Sequence, residues 1–273
     1  MIRRIAIIVL IILPFAVPRF IFSFDVPTLL TVVSLIFAIL VGFFFAAATS
    51  NYLRLQTLIA EMNAGLISLF SLTRVIQPDV SEDVGGAIDH YMMAALDYEL
   101  LEHVPQTERE FDDICEAVDK VEPSNEKGFA AFSYLQEKKE LLRVTLQEVA
   151  LTTKTIIGRN HWLIIGMFAV LIGVLMLSLR DGTIMSSVII AVVMTIIYLT
   201  LDLLYMVDTN LFLAKKLEFQ SAQQVFSAIG RLPYYPSYAI KSGAVRKLPI
   251  KYRQGDEVTK GGKRHVEIIS GES

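Results

Sequence analysis

The chain has 273 residues, 53% of them hydrophobic and only 19% charged, where a soluble domain carries roughly a quarter. Its mean hydropathy is +0.52, which excludes a disordered chain and argues against an ordinary cytosolic enzyme. A single cysteine, Cys115, leaves no disulfide framework or Cys-rich metal site, and a net charge of −3 gives no sign of nucleic-acid binding.

The apolar residues gather in two blocks, at about 5–50 and 162–206. A helix needs about 20 apolar residues to cross the hydrocarbon core, so each block reads as two spans. Arg19 and Asp25-Val26-Pro27 interrupt the first block, which predicts spans at 2–22 and 28–49. Arg3 and Arg4 ahead of an apolar run also fit a secretory signal. The missing A-x-A site and the late Pro14 and Pro18 favour a retained span.

Beyond the second span, Leu55, Leu58, Met62, Leu66, Leu69 and Leu72 recur at three- and four-residue spacing. They predict an amphipathic helix continuing out of the membrane and ending before Pro78. Two shorter helices follow, at about 81–102 with Ser81 as cap, and at 107–121 with Thr107-x-x-Glu110 as a capping box. Pro105 and Pro123-Ser124-Asn125 mark the loops between them. Leu135, Leu142, Leu146, Val149 and Ile156 then lead into a third span at 161–179. Arg180-Asp181-Gly182-Thr183 separates it from a fourth at 184–206. A last helical stripe, Leu213, Leu217, Ala222, Val225 and Ile229, stops at Pro233 and Pro236. The scattered Gly, Lys and Pro of the final 35 or so residues predict poor order.

The expected architecture is therefore an all-α membrane protein with four transmembrane helices in two hairpins, 1–50 and 161–206. A helical region at 51–160 is inserted between the hairpins. A helix at 207–232 and a basic tail at 233–273 follow. The insertion holds ten Lys and Arg against nineteen Asp and Glu, a formal −9, and residues 207–273 hold eleven against six, a formal +5. Arg3, Arg4 and the basic tail place both termini and the insertion in the cytoplasm, the whole in a bacterial inner or plasma membrane. Trp162 and Tyr205 suit the cytoplasmic interface. The tail is expected near anionic headgroups or the acidic insertion, or simply solvated.

No Walker, G-x-S-x-G, H-E-x-x-H or G-x-G-x-x-G motif is present, so no enzymatic activity and no cofactor are expected. Four histidines, His90, His103, His161 and His265, are scattered. Asp89, His90, Asp97 and Glu99 read better as exposed residues of an acidic helix than as metal ligands. The carboxylates beside Cys115 argue against a reactive thiolate. Asp202 is an intramembrane acid, a functional candidate by type, yet near enough to the span's end to read as an interfacial carboxylate. On the second span, Leu35, Ile39, Gly42, Phe43, Ala46 and Thr49 or Ser50 share a face that passes from bulky to small and hydroxyl side chains. Such a stripe can line a pore with an apolar constriction. It can also be a packing face with Gly42 and Ala46 in a small-xxx-small contact, which periodicity by itself favours.

Two early spans, a helical insertion of about a hundred residues, two late spans and a cytoplasmic tail resemble the bestrophin-like domain family of bacterial membrane proteins. The similar stretches are Leu40-Val41-Gly42-Phe43-Phe44-Phe45 leading to Asn51-Tyr52-x-Arg54, then Arg143 ahead of Trp162, and Leu201-Asp202-Leu203-Leu204 with Asp208. The family often continues with Pro-Phe after that Asp, where this chain has Thr209-Asn210-Leu211. The resemblance covers about 28–232 and implies a remote relationship to bestrophin channels. It implies self-association, typically as pentamers, inorganic ions as the cargo, and Leu35, Ile39 and Phe43 as an apolar neck, which strengthens the pore reading. Two other classes share the topology: a non-conducting scaffold or sensor, and a flagellar-stator or ExbB-like ion-coupled subunit.

Overall fold

The computed structural model describes residues 2–17, 22–98, 106–123, 126–209, 218–243, 245, 248–255 and 265–270. The helices are α1 (Ile2–Ala16), α2 (Val26–Ile76), α3 (Pro78–Asp97), α4 (Glu108–Asp119), α5 (Glu126–Thr152), α6 (Arg159–Ser178), α7 (Ile184–Asp208) and α8 (Glu218–Ala228). Strand β1 (Tyr234–Pro236), helix α9 (Ser237–Lys241) and strands β2 (Lys251–Gly255) and β3 (Val266–Ser270) complete the chain order. The chain divides into two compact units, Met1–Tyr52 with Thr155–Thr209, and Leu53–Lys154 with Asn210–Ser273.

Three helices among the described residues are long and apolar enough to cross a membrane: α2, α6 and α7. The fourth expected span is not among them. Its helix α1 has 15 residues, which rise only about 22 Å at 1.5 Å each, and residues 18–21, Arg19 included, lie outside the described residues. Two prolines explain why this helix ends early. Pro14 sits in the last turn of α1, and Pro18, four positions on, has no N–H for the Pro14 carbonyl. Arg180 supplies that donor instead, its Nη1 donating to Pro14 O.

α2 has 51 residues and rises about 75 Å, against about 30 Å of hydrocarbon, so only its first half fits a bilayer. Asp25 precedes it, and its carboxylate accepts from the Thr28 hydroxyl at the helix start. Pro27 lies in the first turn, where its missing N–H costs nothing. The helix stops at Ile76 because Gln77 precedes Pro78 and is extended (φ −148°, ψ 91°), and Pro78 itself opens α3. Between α6 and α7 the reversal uses Gly182 at φ +87°, and Thr183 caps α7 by accepting from Ser186 N–H at 3.1 Å.

In the first unit the core is built by Val33, Phe37 and Val41 of α2 with Ile165, Ile172 and Leu175 of α6. In the second unit Leu55, Leu58, Met62, Leu66 and Leu69 are all buried, and the α2 stripe packs on α3, α4 and α5 through residues such as Ile88, Ile114 and Leu135. Ser81 does not cap a helix: α3 begins three residues earlier, and the Ser81 hydroxyl donates back to Pro78 O at 2.6 Å. Thr107 precedes α4, but its side chain makes no cap hydrogen bond and bonds the buried Tyr91 hydroxyl instead.

The described residues of the tail add a small three-stranded sheet to the helical fold. β1 pairs in parallel with β2, Tyr234 opposite Arg253, and β2 pairs antiparallel with β3, Tyr252 opposite Ile269. Three tyrosines hold the sheet to the helices. Tyr234, Tyr235 and Tyr252 are buried and join the core of the second unit. Residues 210–217 and 256–264, including Leu213 and Leu217, lie outside the described residues.

Candidate functional site

The first half of α2 has two apolar faces, and among the described residues only one is packed against the chain. Val33, Phe37, Val41 and Ala48 are buried, in steps of four, four and seven residues. On the other side Leu35 is 61% exposed, Ile39 64% and Phe43 66%. At 100° per residue the two sets lie roughly opposite one another. Ala46 is exposed with them, and Thr49 is half-buried with its Oγ1 enclosed and without a hydrogen-bond partner among the described residues. A Cβ added at Gly42 would meet nothing within 4 Å. Gly42 and Ala46 therefore make no small-residue contact inside one chain, and the face the helix packs with is the one the sequence reading did not single out.

Asp202 is 17% exposed in its side chain and faces Arg3, with Nε to Oδ1 at 3.0 Å. The interfacial reading missed this partner because Arg3 lies on α1, 199 positions earlier. α1 is thus tied to α7 at two places, Arg3 to Asp202 and Pro14 to Arg180 just before α7. Trp162 and Tyr205, both expected near one interface, meet edge to face at 5.9 Å.

Asp208 ends α7 and is 3% exposed. Its Oδ1 accepts from the N–H groups of Ile156 and Ile157, each at 3.0 Å, while Oδ2 is enclosed with no partner among the described residues. The carboxylate joins the end of α7 to the backbone that enters α6. Two converging backbone donors offset the cost of burying the charge.

In the second unit the imagined metal ligands are otherwise engaged. Asp89 is buried, not exposed, and pairs with Arg253, while Asp97 accepts from the Tyr234 hydroxyl at 2.7 Å. His90 is exposed, Glu99 and His103 lie outside the described residues, and among the described residues no cluster of three potential ligands occurs. Burial pushes the Cys115 thiol up, with the neighbouring Asp112 only a minor cause, and Arg143 hydrogen-bonds to it and partly offsets the rise. α4 presents Asp112, Asp113, Glu116 and Asp119 to solvent while Phe111, Ile114, Cys115 and Val118 are buried.

Residues 24–210 match the model of the Bestrophin-like domain. Two crystal structures of a bacterial bestrophin homolog from Klebsiella pneumoniae, each a point mutant, share the fold. One has a TM-score of 0.64 at 13% identity over 84% of this chain and 97% of that chain. The other has a TM-score of 0.62 at 12% identity over 84% and 98%. A crystal structure described only as that of a membrane protein gives 0.62 at 12% identity over 84% and 97%. No curated protein matches the sequence. With three apolar helices of spanning length and this domain over most of its length, the chain is a membrane protein and belongs to the bestrophin-like family.

Proposed function

We propose that the chain is the subunit of an oligomeric, bestrophin-like ion channel in which α2 lines the ion pathway. Leu35, Ile39 and Phe43 form its apolar neck, and Ala46 and Thr49 continue it toward the cytoplasm. The observation that carries this reading is the unpacked α2 face. A helix whose opposite side already contacts its own chain offers that stripe to neighbouring copies or to lipid, and copies around an axis turn it into the lining of a pore. Five copies are expected from the family resemblance.

The chain crosses the inner membrane four times, with both termini and 51–160 in the cytoplasm. The two ties of α1 to α7 support this count, because they run α1 antiparallel beside a helix of full spanning length. Cations are favoured, since the insertion is formally −9 and the exposed acids of α4 concentrate ions of opposite sign. Planar-bilayer recordings of the purified protein test the reading. Discrete currents that reverse near the cation equilibrium potential are expected. A silent protein that is intact and oligomeric would make it a scaffold instead.

A further inference from the structure

Where α6 turns into α7, a cleft of about 370 Å³ opens beside the start of α2. Its polar lining residues, Asp181, Thr183 and Ser186, come from the turn and the first residues of α7. The remaining lining is apolar and comes from the helices, including Leu30, Met176, Met185 and Ile189. The polar end therefore lies at the level of the helix ends, where headgroups meet water, and the apolar part lies at the depth of the hydrocarbon. Met185 is 68% exposed and Ile189 52%, so the cleft wall is continuous with surface open to a bilayer. The flexible thioethers of Met176 and Met185 can adapt to an irregular chain.

Asp181 supplies the charge. Its Oδ1 accepts from the Thr183 N–H at 2.9 Å and the Thr183 hydroxyl at 2.7 Å, and a side-chain hydrogen bond with Ser186 adds a third. These donors hold the carboxyl below the usual carboxylate range, so it is ionised at neutral pH. No cation among the described residues lies within ion-pair distance of it, and the adjacent Arg180 is turned to Pro14 O. A carboxylate has about four lone-pair sites, so one remains for a further donor.

An occupant of this cleft needs hydrocarbon at one end and a cation that donates a hydrogen bond at the other. We propose that it binds a phospholipid ending in a primary ammonium, as phosphatidylethanolamine does. The ammonium meets Asp181, and an acyl chain lies along Leu30, Met176 and Ile189. A choline headgroup has no N–H to give, and a glycerol headgroup leaves the lipid anionic. On α2, Leu30 lies roughly opposite the Leu35–Ile39–Phe43 stripe, so the lipid and the proposed pore use different faces.

The test does not depend on conduction. Purified protein is delipidated, offered phosphatidylethanolamine, phosphatidylcholine or phosphatidylglycerol with identical acyl chains, and the retained lipid is counted by native mass spectrometry. A preference of about threefold for phosphatidylethanolamine is expected, the size an exposed ion pair supplies. Asp181→Asn keeps the Oδ1 acceptor of the turn and should bring the three lipids to parity at unchanged melting temperature. Ile189→Trp, at an exposed wall position, should lower retention of phosphatidylethanolamine by narrowing the cleft. No preference in the unaltered protein, or a preference that survives both substitutions, overturns the proposal.

Discussion

Arg253 of β2 and Asp89 of α3 form a two-pronged ion pair across 164 positions of sequence, Nη1 to Oδ2 at 2.7 Å and Nη2 to Oδ1 at 2.6 Å. Their side chains are 13% and 10% exposed, the Arg253 Nε donates to Leu232 O at 3.0 Å, and the guanidinium lies 5.1 Å from the centre of the Phe226 ring. A planar fork with its donors engaged suits a buried site better than an ammonium would. The pair fastens the tail sheet to the helical core of the second unit.

Breaking that pair from one side strands a charge. Asp89→Ala is expected to cost about 3 kcal/mol, whereas Asp89→Leu with Arg253→Met should recover most of it, because both charges then leave together. Glu82→Ala provides the contrast. Glu82 and Arg231 also pair, but at 75% and 38% side-chain exposure, where a pair is worth about 1 kcal/mol at most. Denaturant melts of the four proteins check the ranking. Equal losses for Asp89→Ala and Glu82→Ala would mean that the tail is held by its tyrosines alone.

Gly255 shows a second constraint on the same sheet. A Cβ there would lie 2.8 Å from Tyr234 Cε2 and 2.9 Å from Cζ, closer than side-chain atoms pack. Tyr234 is fully buried and its hydroxyl is held by Asp97, so the ring has little freedom to retreat. Gly255→Ala should destabilise the protein by about 1–3 kcal/mol, the usual cost of overpacking. Adding Tyr234→Phe removes the hydroxyl nearest the new methyl and should lessen the second substitution's effect. A thermal shift that is purely additive would show that the ring is not the obstacle.

How far the sequence reveals such features depends on where the partner lies. The α2 stripe from Leu55 to Leu69 is legible because its periodicity is local and its other face is polar. Membrane-level α2 is harder, because Val33-Phe37-Val41 and Leu35-Ile39-Phe43 are both apolar at four-residue spacing. Periodicity cannot say which face meets α6 and which is left open. Asp89 looked like a surface acid because nothing near it in sequence signals Arg253. β1 has three residues and pairs in parallel with a strand that begins 15 residues after it ends, so no hairpin turn or alternating run announces the sheet.

Acid should weaken the second unit in a particular way. Lys139 Nζ lies 2.6 Å from Asp119 Oδ1, and this hydrogen bond is the main cause that holds the Asp119 carboxyl below the usual carboxylate range. A carboxyl depressed on folding stabilises the fold above its unfolded pKa of about 4 and loses that contribution as pH falls through the lower folded value. Asp119 is 54% exposed in its side chain, so water screens the pair to about 0.5 kcal/mol. Asp119→Asn should therefore melt slightly lower than the unaltered protein at pH 7, and the gap should close below about pH 4. A gap that is the same at pH 7 and pH 3 would assign the effect to something other than this charge.

The four-span topology is tested at α1. If α1 crosses the membrane beside α7, reporters fused ahead of Arg3 and inserted near Asp97 both read as cytoplasmic. Three spans alone would put the two reporters on opposite sides.

The neck and the selectivity are tested together by where substitutions act. If α2 lines the pathway, Ile39→Ser should raise single-channel current severalfold, because a hydroxyl at an apolar constriction eases its wetting. Val170→Ser is the control. Val170 is 68% exposed on α6, away from the stripe, and the change there should leave conduction alone. Equal effects at both positions would mean that the α2 face meets lipid and the pathway lies elsewhere. If cations are favoured, the exposed acids of α4 would carry the preference, with a field that reaches only about 8 Å at physiological salt unless the copies are brought close around an axis. Asp112→Asn, Asp113→Asn and Glu116→Gln combined should move the reversal potential in a salt gradient toward the anion value. Arg143, 3.9 Å from Asp112, already offsets part of that charge, so the shift is expected to be partial. An unaltered protein that reverses at the anion equilibrium potential would place the acidic face of α4 away from the pathway.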